Sequence, residues 1–232
     1  MIDIRRADER GHADHGWLEA YHTFSFAEYQ DPAFMGFHAL RVINEDRVQP
    51  GQGFGMHPHR NMEIVTYILS GTLEHRDDMG HGGVIRPGDI QYMCAGTGVR
   101  HSEFNHSGEE PVHLLQIWIF PDEKGYEPAY AQRNFPRRER LNTLCPLVSH
   151  DGRGNSLHIH QDVVLYASVL EAGQTTTAEL APGRHAWLQV ARGALTLNGL
   201  GLGAGDGAAI GDETRFTFSA LDEAEFLFFD LA

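Results

Sequence analysis

The chain has 232 residues, with 18 Lys and Arg against 32 Asp and Glu, a formal charge of −14. That length accommodates one large β domain or two small ones with a real core, and the acidic balance argues against a nucleic-acid partner, whose phosphates need a basic face. Two cysteines, Cys94 and Cys145, are too few for a disulfide framework, so a reducing compartment is expected.

From the N-terminus, Met1-Ile2-Asp3-Ile4-Arg5-Arg6 has no apolar stretch of signal-peptide length. No run approaches the roughly 20 apolar residues that span a bilayer, so a cytoplasmic protein with no membrane partner is expected. Asp14–His22 is the best helical candidate in a chain with few of them. Ile64–Leu69 is β-branched and aromatic, and Ser70-Gly71 bounds it; His113–Phe120 is a second strand, stopped by Pro121. Between 122 and 145, Pro, Arg and Glu replace the strand pattern. The domain boundary is expected there, giving domains 1–132 and 133–232. The basic cluster Arg133, Arg137, Arg138 and Arg140 in this stretch reads as a solvated connector. Further strands follow at Trp187–Val190, Ala194–Asn198 and Glu225–Phe229. Short strands with frequent glycine turns point to an all-β sandwich or barrel.

The two halves echo each other. A strand ending at Gly71 is followed by Thr72-Leu73-Glu74-His75 and then Pro87-Gly88-Asp89. A strand ending at Gly193 is followed by Ala194-Leu195-Thr196-Leu197 and then Ala204-Gly205-Asp206. Matched order and spacing indicate a duplicated β domain. Histidines are skewed toward the first copy: eleven of the fifteen precede residue 114.

His57-Pro58-His59 is the strongest chemical signal. Residues two apart on a strand share a face, so both imidazoles can reach one metal ion. His101-Ser102-Glu103 repeats that spacing with a carboxylate. If the two segments lie side by side, three imidazoles and a carboxylate converge, a donor set that suits a divalent first-row metal. His158-Ile159-His160 has the spacing without a downstream partner and is read as structural. Cys94 is read as a buried core thiol, and His12, His15 and His22 as capping or supporting groups. Phe54, Met56, Tyr67, Met93 and Phe104 flank the ligand candidates in sequence and are expected to contribute to a substrate pocket.

Gly51-x5-His57-x-His59-x3-Glu63-x7-Gly71 resembles the first cupin motif with one spacing shifted. Pro87-Gly88-Asp89 through Gly96-Thr97-Gly98-x2-His101-x3-Asn105 resembles the second. More narrowly, the chain resembles the pirin family and the bacterial pirin-like quercetin 2,3-dioxygenases. The resemblance rests on Arg10–Leu18, His22–Ala27, Met35-Gly36, His57–Glu63 and Gly96–Glu103. It is dense across residues 5–120 and thinner through 145–232.

The resemblance implies a bicupin, two antiparallel barrels packed face to face, with a metal only in the N-terminal one. Its ligands would be His57, His59, His101 and Glu103. The usual cupin carboxylate position is Ile64 here, and Glu63 stands one residue earlier. A one-residue shift reverses the face of a strand residue, so Glu63 is expected to lose the ligand role unless a bulge restores it. The implied cofactor is one divalent transition metal per chain, iron first, with Cu, Ni, Mn, Co or Zn as alternatives. The implied activity is cleavage of flavonols such as quercetin by dioxygen with release of carbon monoxide, with Glu103 as catalytic base as well as ligand. The implied partners are a small aromatic substrate and dioxygen; a monomer is expected, although no residue pattern fixes the oligomeric state. Two other functions fit the same residues. One is a metal-bearing redox or stress sensor acting through a protein partner; the other is a cupin whose substrate is unrelated to flavonols.

Overall fold

The computed structural model describes residues 1–232. The chain forms two compact units. The first comprises Gly11–Asn134 with Ile159–Gln161, and the second comprises Met1–Arg10, Phe135–His158 and Asp162–Ala232. The sequence-based division at 132/133 treats both ends of the chain as continuous. In the structure, residues 1–10 group with the second unit and 159–161 with the first.

Each unit has a seven-stranded and a four-stranded sheet. In the first unit the large sheet runs, edge to edge, Ala129–Asn134, Asp89–Cys94, Glu63–Ser70, Val112–Ile119, Leu40–Val48, Leu18–His22 and Gly11–Asp14. Its small sheet runs Gly53–His59, Val99–Asn105, Leu73–Asp77 and Gly82–Ile85. In the second unit the large sheet runs Ile2–Arg5, Gly207–Ile210, His185–Arg192, Ala224–Leu231, Val163–Leu170, Cys145–Ser149 and Leu157–His158. Its small sheet runs Thr175–Glu179, Arg215–Ala220, Ala194–Leu197 and Leu200–Gly203. The two small sheets follow the same order of strands, and so do the central strands of the large ones, which is the duplication expected from the glycine turns. Gly71 and Gly193 occupy matching hairpin turns with φ of +77° and +67°, a region that favours glycine. The strand ladders pair antiparallel except Cys145–Ser149 with Leu157–His158. The fold is thus all-β and cupin-like, but each unit is a two-sheet jelly roll rather than a closed barrel, since its large and small sheets remain separate.

Two local expectations are overturned. Asp14–His22 is a hairpin, not a helix. Gly16 takes φ +78°, the Asp14 carboxylate accepts the Gly16 N–H at 2.8 Å, and Leu18–His22 alternates buried and half-buried side chains with period two. The arginine cluster is not uniformly solvated. Arg140, on the single α-helix Arg137–Arg140, is buried and pairs with Glu225 at 2.8 Å. No helix is long and apolar enough to cross a membrane.

Side-chain alternation decides what each unit encloses. In the second unit, Phe216 and Phe218 occupy inward positions of Arg215–Ala220 and pack with Phe226 and Phe228. The corresponding strand of the first unit, Val99–Asn105, buries Val99, His101, Glu103 and Asn105 instead. Nearby, Thr66 donates to Gln91 at 2.6 Å and is within 2.9 Å of the Gln116 side-chain oxygen. One copy of the repeat is filled with aromatic rings and the other with groups that coordinate or hydrogen-bond.

Candidate metal centre

Antiparallel pairing of Gly53–His59 with Val99–Asn105 sets His101 directly opposite His57. A register shift between His101 and Glu103 then pairs Glu103 with Phe54. A bulge of this kind re-aims side chains locally. The result is a cluster in which ligand atoms of His57, His59 and His101 all lie within 4.8 Å of one another. His101 belongs also to a second triad of the same dimension, with His75 and Glu103. His101 is thus common to both triads: the three histidines expected from sequence group together, while Glu103 groups with His101 and His75.

Hydrogen bonds select which nitrogen is free on the His57 and His101 rings. His57 Nδ1 lies 2.8 Å from the Gly55 carbonyl, so Nδ1–H donates there and Nε2 keeps its lone pair. His101 Nδ1 lies 3.4 Å from His75 Nδ1, and His75 Nε2 lies 3.5 Å from the Asp77 carboxylate. With Asp77 accepting from His75 and His75 accepting from His101, His101 Nε2 is left as the lone pair facing the cluster. That atom is buried and has no hydrogen-bond partner in the protein. Burial works against the Asp77 carboxylate, but the His81 backbone N–H and the His75 and His81 rings outweigh it and hold its pKa below the usual range. Burial, then neighbouring imidazoles, push His59 and His101 down to about 3, so both rings are neutral, the form that binds a metal.

Glu103 is buried and accepts from Gln116 Nε2 at 3.2 and 2.9 Å. Its pKa is raised, chiefly by burial, with His75 and Gln116 opposing. Asp46, a second buried carboxyl, is pushed up to about 7 by burial, then by Glu103 and Glu45.

The cluster opens on a cavity of about 480 Å³ lined by Trp17, Phe26, Phe54, Trp118, Asn44 and Asp46, together with His57, His59, Glu103 and Gln116. Of the five pocket residues expected from sequence, only Phe54 lines it. Met56 and Phe104 are neighbours of His57 and Glu103 and so point to the opposite faces of their strands, where they are 47% and 40% exposed. Tyr67 is buried on the face opposite Thr66. Met93 packs with Ile64, Ala95 and Val99. Glu63 also faces away from the cluster, because Ile64 takes the inward position. His22 bonds Asn44 at 2.8 Å and so supports a cavity-lining residue. His75 and Asp77 were missed, although His75-Arg76-Asp77 carries the same i, i+2 spacing as the recognised pairs.

The family model for pirin matches residues 3–119, and that for the quercetinase C-terminal cupin domain matches 146–231. The chain is 49% identical over 231 residues to quercetin 2,3-dioxygenase of Escherichia coli K12, covering 100% of this chain and 99% of that protein. It is 42% identical over 233 residues to a pirin-like protein of Caulobacter vibrioides, covering both in full. The crystal structure of the bacterial pirin YhhW from Escherichia coli in complex with nickel(II) superposes with a TM-score of 0.95 at 49% identity, covering 100% of this chain and 99% of that one. With two cupin-type units in tandem and matches along nearly the whole chain, this protein belongs to the pirin family.

Proposed function

We propose that the chain holds one divalent transition metal through His57, His59, His101 and Glu103 and cleaves flavonols such as quercetin with dioxygen, releasing carbon monoxide. The observation that carries this reading is the grouping of His57, His59 and His101 within 4.8 Å of one another, with a buried, partnerless Nε2 on His101, beside an aromatic cavity that His57 and His59 line. A buried polar atom with no partner is costly, and a cation is the partner that this donor set fits. Support comes also from the Escherichia coli relative named for this activity and from nickel(II) in the related pirin. Iron is the first assignment of the metal, and nickel the second.

Bound there, the metal would supply Lewis acidity toward the 3-hydroxyl and adjacent ketone oxygens of a flavonol. The protein's own groups do the rest. Trp17, Phe26, Phe54 and Trp118 give flat apolar walls for the fused rings and exclude water. Trp118 Nε1–H is buried without a partner in the protein, which makes it a donor for a substrate oxygen. A Glu103 oxygen accepts the 3-hydroxyl proton, while Gln116 holds the carboxylate in place through both of its oxygens. The resulting enolate is electron-rich enough to react with dioxygen. Both oxygen atoms enter the product, the two carbon–carbon bonds flanking the hydroxyl-bearing carbon break, and that carbon leaves as carbon monoxide with its own oxygen.

The test is aerobic quercetin consumption by metal-loaded protein against metal-free protein and His57→Ala. Saturable turnover confined to the loaded wild type supports the proposal. Equal turnover in all three overturns it.

A further inference from the structure

A second group of ligand-type side chains lies in the first unit, outside the centre described above. Glu63, Cys94 and His160 place one ligand atom each within 4.8 Å of one another. Glu63 and Cys94 are direct register partners on adjacent strands, and Tyr92 is on the same face two residues before Cys94. This is the face opposite the one that carries Ile64 and Met93. His160 arrives from the separate segment Ile159–Gln161, which belongs to this unit. That segment is anchored locally: Asp122 N–H donates to the His160 carbonyl at 2.8 Å, and Tyr126 stacks on the His160 ring at 4.0 Å.

The hydrogen bonding around Glu63 is lopsided. The Tyr92 hydroxyl and the His160 backbone N–H both donate to Oε2. Oε1 is buried and has no partner, and the residue as a whole has no exposed surface. The Cys94 thiol is a further hydrogen-bond donor beside this carboxylate. No Lys or Arg pairs with it. The neighbouring His160 Nδ1 lies 3.5 Å from Oε2, close to the roughly 3.3–3.4 Å edge between oxygen and nitrogen ligands in a tetrahedral zinc site with bonds of about 2.0–2.1 Å.

We propose that Glu63, Cys94 and His160 form a second divalent-cation site, of zinc-type preference, distinct from the imidazole centre. Thiolate, imidazole and carboxylate together favour a borderline-soft ion, and water or the Tyr92 hydroxyl completes four-coordination. Binding releases the Cys94 thiol proton to solvent as the sulfur–metal bond forms. The His160 side chain is 24% exposed and provides the route of entry. The ion would pin the Ile159–Gln161 segment to the strands that carry Glu63 and Cys94.

Cobalt(II) separates the two sites, because only the second contains sulfur. Titrating metal-free, full-length protein with Co²⁺ should give two equivalents and a thiolate-to-cobalt charge-transfer band that Zn²⁺ then removes. Cys94→Ser should lose the band and one equivalent. His160→Gln should weaken that equivalent at least tenfold. His57→Ala should keep the band and lose the other equivalent. A wild type that takes one equivalent with no sulfur band overturns the proposal, as does a band that survives Cys94→Ser. The wild-type spectrum and His160→Gln decide the matter even if Cys94→Ser does not fold.

Discussion

Gly53 sits where the two ligand-bearing strands touch. A Cβ built on it would fall inside the envelope of the Glu103 carbonyl oxygen, 2.5 Å from Phe104 Cα and 2.9 Å from Phe104 Cδ1. Ordinary carbon–carbon contact is about 3.5–4.0 Å, so Gly53→Ala must push Gly53–His59 away from Val99–Asn105 by about 1 Å. Four residues on, His57 faces His101 across the same ladder. Metal–ligand distances tolerate only about 0.2 Å, so the shift is several times what the centre can absorb. Overpacking of this kind costs about 2 kcal/mol, which lowers Tm by about 4–8 °C in a chain of this size. Metal affinity should fall at least tenfold. Gly55 is the control: it lies on the same strand, has no positive φ, and nothing stands within 4 Å of its added Cβ. Gly55→Ala should leave Tm unchanged or slightly raised, with metal binding intact. Thermal unfolding of metal-free protein and calorimetric titration with Ni²⁺ read both effects. Equal behaviour of the two variants would refute the claim that this strand contact sets the geometry of the centre.

Glu103→Gln keeps the shape and removes the charge; bound metal should decrease and turnover should fall about 10²–10⁴-fold. Full turnover at unchanged metal content would remove Glu103 as the base. Trp118→Phe should raise the KM for quercetin about fivefold with kcat little changed, the cost of one hydrogen bond worth about 1 kcal/mol. An unchanged KM would mean the indole N–H does not touch substrate. Asp46, held up to about 7 by burial and then by Glu103 and Glu45, binds its proton more tightly folded than unfolded. Its contribution is therefore fully present below about pH 4 and is lost as pH rises to about 7, by up to about 4 kcal/mol. Denaturant titrations of metal-free wild type and Asp46→Asn across that range should diverge accordingly; parallel curves would contradict the burial argument.

Much of this was legible in the residues. His57-x-His59 and His101-x-Glu103 carry their chemistry in a two-residue spacing that a strand converts directly into a shared face. The paired glycine turns at 71 and 193 announced the duplication, because a positive φ leaves few other choices. The cavity wall was not legible by the rule used for it. Sequence neighbours of a ligand on a strand point the other way, which excluded Met56 and Phe104. Trp17, Phe26 and Trp118 come from distant segments that only the sheet order brings together. Asp14–His22 misled because its helix-forming residues surround a glycine that turns the chain. His158-x-His160 has no matching pair downstream, and Glu63 and Cys94, which His160 meets in the fold, lie on strands far from it in sequence.

The central claim is that the imidazole and carboxylate cluster turns dioxygen on a flavonol. Carbon monoxide counted against quercetin consumed, with protein loaded with iron(II) or nickel(II), tests it most directly. One carbon monoxide per quercetin, abolished in His57→Ala, is the expected result. Quercetin loss without carbon monoxide, or equal yield from His57→Ala, would contradict it.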